Sequence, residues 1–142
     1  MTTYTDDQIP IGLTVNSFTS VSLEPALVMW SIQEHSPNKP VFGVGRRHRI
    51  HVLGAGQEAT AMRFATAGAD KFEGMELTPA EAAPGLPQWL VQFDCEVVQT
   101  HRMGDHEAIV AQVMGYRVGE GEPLLFWRGR WLACGSAATK VG

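Results

Sequence analysis

Positions 12 to 25 of this 142-residue chain read Gly12-Leu13-Thr14-Val15-Asn16-Ser17-Phe18-Thr19-Ser20-Val21-Ser22-Leu23-Glu24-Pro25. Leu13 and Val15 are apolar and are separated by a polar residue, which is the period-two pattern of a strand with one buried and one polar face. Hydroxyl groups then dominate, and no charged side chain occurs before Glu24. The segment therefore predicts a strand that leads into an array of neutral hydrogen-bond donors and acceptors.

Neutral hydrogen-bonding groups suit a ligand whose edge mixes carbonyl oxygens, ring nitrogens and one N–H. Each polar atom of such an edge is matched while little charge has to be desolvated. A flavin ring has an edge of this kind. The same residues are also typical of a Ser/Thr-rich strand that ends in a turn, so the segment alone leaves both interpretations open.

Three motifs together resemble the flavin reductase family, whose members contain FMN-binding split-barrel domains. The first motif, Gly-x-Thr-x-Asn-Ser-Phe-x-Ser-Val-Ser-Leu-x-Pro, matches positions 12 to 25. A Gly-Asp-His motif on a later hairpin matches Gly104-Asp105-His106, and an Arg-Gly-aromatic ending is approximated by Arg128-Gly129-Arg130-Trp131. The resemblance covers the chain from about Thr2 to Trp131.

The resemblance implies a mainly β fold, an antiparallel split β-barrel with one or two short helices, formed by a single domain over residues 1–142. It also implies an NAD(P)H:flavin oxidoreductase that transfers a hydride from NADH or NADPH to FMN, with FAD as an alternative flavin. Such an enzyme would supply reduced flavin to a separate monooxygenase. Family members are homodimers, so a homodimer is implied here.

The resemblance also assigns site residues by position. His106 is expected near the incoming nicotinamide, as the catalytic residue. Seven residues are expected to contact the flavin: Thr14, Asn16, Ser17, Ser31, Gln33, Ser36 and Arg128. In this assignment Asn16 and Ser17 lie at the N5/O4 edge of the ring and Thr14 at its other end. The ribityl phosphate is assigned to Ser31, Gln33 and Ser36.

Several cations compete for the role of phosphate partner. A phosphate needs hydroxyls, backbone N–H groups and a nearby positive charge. Lys39 follows the serine-containing turn and could supply that charge, whereas Glu34 would oppose it. The Arg46-Arg47-His48-Arg49 cluster suits a flavin phosphate or the pyrophosphate of a nicotinamide nucleotide, and it also suits a solvated turn before a strand.

The rest of the chain predicts short strands separated by turns. Strands are expected at residues 2–5, 26–32, 49–53, 90–98, 108–114 and 124–127. A helix is expected at 56–65, and a second near 79–82 within a long irregular connection. The 26–32 run is expected to be buried on both faces, Gln92 to face water, and the 124–127 strand to be buried.

Composition limits the other classes of function. The net charge of −4 gives no reason to expect a nucleic-acid or membrane partner. No apolar run reaches the twenty or so residues of a spanning helix, and the N-terminus lacks the pattern of a secretory signal, so a cytoplasmic protein is expected. Cys95 and Cys134 lack metal-binding spacing and are expected to be free thiols, with Cys95 in the core.

A metal site is not expected. His48 and His51 are three residues apart on a predicted strand and therefore point to opposite faces. His101, Asp105 and His106 lie close together in the sequence but lack a fourth ligand.

Two other functions remain open. One is an FMN-binding electron-transfer module that does not oxidise nicotinamide nucleotides itself. The other is a barrel that has lost its flavin, an interpretation motivated by Glu34, His48 and His51 and by the short stretch that precedes the first motif.

Overall fold

One seven-stranded antiparallel sheet carries most of the chain. The computed structural model describes residues 1–68, 70–78 and 83–133. In chain order the strands of the sheet are β1 (Thr2–Tyr4), β2 (Pro10–Gly12), β3 (Thr19–Leu23), β4 (Ala26–Gln33), β5 (Arg47–Val52), β6 (Val91–Met103) and β7 (His106–Val118). Their order across the sheet is β2-β1-β5-β6-β7-β4-β3.

Three smaller elements accompany the sheet. They are a 3-10 helix (Lys39–Phe42), one α-helix, α1 (Glu58–Ala65), and a separate hairpin of β8 (Leu124–Trp127) and β9 (Arg130–Ala133). The predicted mainly antiparallel β fold with an α-helix near residues 56–65 is confirmed. The second helix predicted near residues 79–82 lies outside the described residues, as does Cys134. None of the described helices combines the length and apolar character needed to cross a bilayer.

The β6–β7 hairpin is the longest strand pair, with 13 residues in each strand. Met103 pairs with His106, which leaves Gly104 and Asp105 as a two-residue turn. Gly104 has a φ of +67°, a conformation that glycine adopts without steric cost. The predicted Gly-Asp turn is therefore confirmed, and it places His106 at the first position of β7.

The sheet curls around a single core. Strands β4 and β5 are separated in the sheet by β6 and β7, and three strand spacings in a flat sheet would put them about 14 Å apart. Yet the indole Nε1 of Trp30 on β4 donates to Nε2 of His48 on β5 at 3.2 Å, and Phe42 packs on both rings. Only a strongly curved sheet brings these side chains together.

The core histidine is held neutral. His48 is 1% exposed, and burial lowers its pKa to about 3. Cys95 also lies in this core as a free thiol, as predicted, and burial raises its pKa to about 12. Both residues therefore act as uncharged packing groups.

The strand predicted through Leu13 and Val15 is wrong. Residues 13–18 form an irregular loop between β2 and β3, although Leu13 and Val15 do pack against the core. The reason lies in the hydrogen bonds of the loop: Leu13 N–H donates to the Met1 carbonyl, and Thr14 N–H donates to the Phe64 carbonyl of α1. The loop is thus paired at two points without forming a strand ladder.

Three burial predictions also need correction. Strand β4 is not buried on both faces, because Val28, Trp30 and Ile32 are buried while the residues between them are only partly covered. Gln92 does not face water: it is 2% exposed, and its Oε1 lies beside Gly85. Strand β8 pairs with β9 in a separate two-stranded sheet and is largely exposed, with Trp127 66% accessible.

Candidate functional site

The hydroxyl-rich loop forms one wall of a cavity of about 890 Å³. The opposite wall comes from the end of β4, the turn that follows it, and the first residue of β7. Seven of the eight predicted site residues line this one cavity: Thr14, Asn16, Ser17, Ser31, Gln33, Ser36 and His106. Residues of the first two motifs and of the end of β4, far apart in sequence, therefore converge on one cavity.

Hydroxyl groups hold the loop in place. The Thr14 hydroxyl donates to the carbonyl of Ala61 in α1 at 2.7 Å. The Ser17 hydroxyl accepts from the N–H of Ser31 on β4 at 2.9 Å. These two side chains, predicted as ligand contacts, thus connect the loop to the helix on one side and to the sheet on the other.

Because side-chain hydroxyls form hydrogen bonds that hold the loop, several of its main-chain N–H groups can donate to a ligand. Among the described residues, the N–H groups of Val15, Asn16 and Ser17 donate to no protein acceptor. Three successive amides without a protein partner beside a cavity form a ready donor set for carbonyl oxygens or ring nitrogens. The exposed Asn16 side chain adds a neutral amide to the same wall.

The opposite wall is a tight turn after β4. Ser36 N–H donates to the Gln33 carbonyl at 3.0 Å, and the Ser36 hydroxyl accepts from Asn38 N–H at 3.3 Å. Gln33, Ser36 and Asn38 all line the cavity. The turn therefore presents hydroxyl and amide groups, as the sequence predicts for a ribityl phosphate.

His106 stands at the cavity edge beside this turn. It is the cross-strand partner of Gln33 in the β4–β7 ladder. Its Nδ1 lies 2.8 Å from Oδ1 of Asp105, and the hydrogen bond and then the charge of His106 hold the pKa of Asp105 below its usual range. A carboxylate can only accept, so Nδ1 is the donor in this contact and Nε2 is the other ring nitrogen.

A lysine that the sequence analysis did not select lines the cavity. Lys71 Nζ donates to the carbonyls of Gly12 and Phe64 at 3.0 and 2.9 Å, and burial lowers its pKa. An ammonium has three protons, so one remains available. No carboxylate of the described residues forms a salt bridge with Lys71.

Little in the sequence indicates that Lys71 lines a cavity, because a lysine in a proline-rich connection is usually a surface residue. The neighbouring packing explains its position. Phe72 packs edge-on against Phe64 at a centroid distance of 5.1 Å, which holds the connection over the end of α1.

The cations that the sequence offered for a phosphate are engaged elsewhere. Lys39 bonds two carboxylates and does not line the cavity. The arginines of the basic cluster each pair with an acid: Arg46 with Asp6, Arg47 with Glu96 and Arg49 with Asp94. Their interpretation as a phosphate-binding cluster is therefore not supported by the contacts in this chain.

The candidate metal ligands have separate partners. His48 Nε2 accepts from Trp30, whereas His51 Nε2 accepts from the N–H of Leu86 on the other face of β5. Burial lowers the pKa of His51 to about 3. Within the described ranges, no group of three or more His, Cys, Asp or Glu side chains is arranged to hold a metal ion.

Arg128 lies outside the cavity of its own chain. It occupies the tip of the β8–β9 hairpin with a φ of +50°, followed by Gly129 at +78°. It is exposed and is not among the residues that line the cavity. The single chain therefore does not bring Arg128 to the other predicted flavin contacts.

Comparison with known proteins agrees with this geometry. Residues 1–133 match the family described as Flavin reductase like domain. The chain is 39% identical over 125 residues to the FMN reductase (NADH) SmoA of Agrobacterium fabrum, covering 87% of this chain and 71% of that protein. It is 32% identical over 125 residues to a Rhodococcus opacus protein, the reductase component of a 4-nitrophenol 4-monooxygenase/4-nitrocatechol 2-monooxygenase. That match covers 88% of this chain and 68% of the relative.

A solved structure extends the match to the fold. The NADH:FAD oxidoreductase SgcE6 of Streptomyces globisporus, in complex with NAD and FAD fragments, superposes with a TM-score of 0.87 at 28% identity. The superposition covers 97% of this chain and 84% of that one. The chain belongs to the flavin reductase-like domain family.

Proposed function

We propose that this chain is an NAD(P)H-dependent flavin reductase that binds FMN in the 890 Å³ cavity and supplies reduced flavin to a separate monooxygenase. The observation that carries the proposal is the convergence of the hydroxyl-rich loop, the turn after β4 and His106 on one cavity. The three relatives described above are named as an FMN reductase (NADH), an NADH:FAD oxidoreductase and a monooxygenase reductase component.

The cavity suits a flavin in size and in chemistry. Ligand cavities commonly measure about 300 to 1,000 Å³, and this one lies within that range. Its loop offers three amides that have no acceptor among the described residues and the Asn16 side chain, which match a ring edge of carbonyl oxygens and nitrogens. Lys71 offers one positive charge to a ligand that is itself anionic.

We assign roles on this basis. The main-chain N–H groups of Asn16 and Ser17 hold the N5/O4 edge of the ring, where negative charge accumulates on reduction. Thr14 positions the loop at the other end of the ring, beside the Lys71 ammonium, since Thr14 N–H and Lys71 Nζ share the Phe64 carbonyl.

Four other predicted residues contact either the phosphate end of the flavin or the nicotinamide. Ser31, Gln33 and Ser36 hold the ribityl phosphate, and His106 orients the nicotinamide. Bound flavin supplies the two-electron chemistry, so the side chains need only position the reactants and exclude competing water. This explains why the cavity needs no nucleophile of its own.

We further propose a homodimer with a split-barrel fold in each subunit. The exposed hairpin supports the dimer, because Leu125, Phe126, Trp127 and Leu132 are 41%, 45%, 66% and 43% accessible in the isolated chain. Such a cluster is typical of a subunit interface. Arg128 at its tip then enters the flavin site only from the partner subunit. The curled sheet supports the split barrel, and the free thiol of Cys95 supports a reducing cytoplasm.

The proposal is tested by adding FMN to the purified protein and following flavin fluorescence, then NADH and NADPH oxidation under anaerobic conditions. We expect saturable FMN binding and bleaching of the flavin absorbance by at least one nicotinamide nucleotide. FMN binding without nicotinamide oxidation would indicate the electron-transfer module instead. Failure to bind any flavin would overturn the proposal altogether.

A further inference from the structure

Lys39 joins three elements of the chain through one ammonium group. Its Nζ lies 2.9 Å from Oε1 of Glu34, in the turn after β4, and 2.9 Å from Oε2 of Glu107, on β7. The side chains are only partly exposed, at 29% for the lysine and 19% and 16% for the two acids. We call these three residues the Lys39 triad.

Main-chain hydrogen bonds follow the same path. Glu34 N–H donates to the carbonyl of Asp105 at 2.9 Å, which connects the turn to the tip of the β6–β7 hairpin. Lys39 N–H donates to the carbonyl of Ser36 at 3.1 Å, which closes the turn on itself. The triad and these bonds together fix the turn against the hairpin.

The two parts that the triad connects carry different halves of the candidate site. Gln33 and Ser36 line the cavity from the turn, and His106 lines it from the hairpin, next in sequence to Glu107. Lys39 itself does not line the cavity. Its position is therefore outside the cavity, and it contacts the residues that follow Gln33 and His106 in the sequence.

Electrostatics make the bridge necessary. Glu34 and Glu107 both approach the same nitrogen, so without Lys39 they would be two carboxylates in close proximity with little water between them. Like charges in such a setting repel strongly. One oxygen of Glu34, Oε2, is already buried without a partner among the described residues, which leaves that side chain more dependent on Lys39.

We propose that Lys39 is a positioning residue that sets the distance between the Ser36 turn and His106, and so couples flavin binding to nicotinamide binding. This inference rests on the proposed function for the identity of the two ligands. The part that concerns the turn and the hairpin needs no ligand.

The test compares Lys39→Met with Lys39→Arg, which can still bridge two carboxylates. Arg47→Met is the matched control, because it removes an exposed ion pair with Glu96 outside the cavity. Three quantities are measured: amide hydrogen exchange at Glu34, FMN dissociation constants from fluorescence, and KM and kcat for NADH.

We expect Lys39→Met to accelerate exchange at Glu34, to weaken FMN binding about tenfold and to raise the KM for NADH more than it lowers kcat. Lys39→Arg should stay close to the wild type, and Arg47→Met should change nothing. The effects of Lys39→Met and His106→Ala on the kinetics of NADH oxidation should be non-additive. A lysine with a merely structural role would give additive effects.

Two results, one from Lys39→Met and one from a triple variant, would overturn the inference. One is unchanged exchange and unchanged FMN binding in Lys39→Met. The other is full recovery in the triple variant Glu34→Gln, Lys39→Met, Glu107→Gln, which would mean that Lys39 only balances charge. If Lys39→Met does not fold, Glu107→Gln releases the hairpin alone, and unchanged exchange at Glu34 in that variant would also refute the inference. Failure of the wild type to bind FMN would refute the proposed function, while the exchange rates would still decide the role of Lys39.

Discussion

The loop at residues 13–18 and the turn at residues 33–39 face the same cavity, but different forces hold them. Neutral hydroxyl bonds from Thr14 and Ser17 fix the loop. An ion triad around Lys39, placed outside the cavity, fixes the turn. The difference teaches that neutral groups hold the loop and charged groups outside the cavity hold the turn, while Asp70 and Lys71 are the carboxylate and the ammonium among the described lining residues.

The largest effect should come from Gly12, the residue that precedes the hydroxyl-rich loop. A Cβ at Gly12 would overlap the Phe64 ring and approach the Phe72 ring to 2.9 Å, so Gly12→Ala must displace the packing that holds the loop. We expect a loss of about 1–3 kcal/mol in the free energy of unfolding, measured by urea denaturation, and loss of FMN binding. Gly115→Ala is the control, because a Cβ there meets open space. Equal stability of the two variants would contradict the packing argument.

His106→Ala should separate the two ligands. We expect the rate of NADH oxidation to fall at least about tenfold while the FMN dissociation constant stays within about twofold, because the ring is assigned to the nicotinamide alone. His101→Ala on the same hairpin is the control, since that residue does not line the cavity. A parallel loss of FMN binding would show that the imidazole belongs to the flavin site instead.

Lys71→Met should weaken FMN binding about tenfold, because an anionic ligand loses the cation that the cavity offers it. The salt dependence of FMN binding should become shallower in the same variant, as measured by fluorescence titration at several ionic strengths. Arg63→Met is the matched control, since Arg63 also donates to a main-chain carbonyl but does not line the cavity. An unchanged FMN affinity would mean that Lys71 only caps α1 through its hydrogen bond to the Phe64 carbonyl.

The smallest effect should come from a single hydroxyl of the loop. Thr14→Val removes the donor to the Ala61 carbonyl and should cost about 1 kcal/mol of stability, with a modest loss of FMN affinity. Thr19→Val is the control, because that hydroxyl is exposed. Thermal unfolding of both variants gives the comparison. A larger FMN loss than stability loss would mean that the Thr14 hydroxyl touches the ring directly.

The family resemblance of the three motifs accounts for the predicted fold class and for the residues predicted to share a site. Local patterns add to it, because alternating residues such as those of β6, and the Gly104-Asp105 turn, determine strand pairing close to where they occur. The β4–β7 ladder places Gln33 opposite His106, which brings the turn after β4 next to the β6–β7 hairpin. The resemblance also assigned Arg128, which the single chain does not bring to the cavity.

What the sequence missed depends on contacts between distant segments. Nothing in the motif at positions 12–17 indicates that the hydroxyls of Thr14 and Ser17 form hydrogen bonds with α1 and β4. The engagement of Lys39 by Glu107 likewise requires the folded sheet, since the two residues are 68 positions apart in the chain. The exposure of β8 was not predicted, because the sequence of an apolar strand is the same whether the strand lies in a core or on an uncovered hairpin.

The burial of Trp30 has a consequence for the intrinsic fluorescence of the protein. Its indole is fully enclosed, with 0% exposure, and the next residue in the chain, Ser31, lines the cavity. Emission from an enclosed indole falls at shorter wavelengths than that of the accessible Trp127. A yellow chromophore that entered the cavity would absorb at those wavelengths at close range, so the blue edge of the intrinsic emission should dim first as the cavity fills.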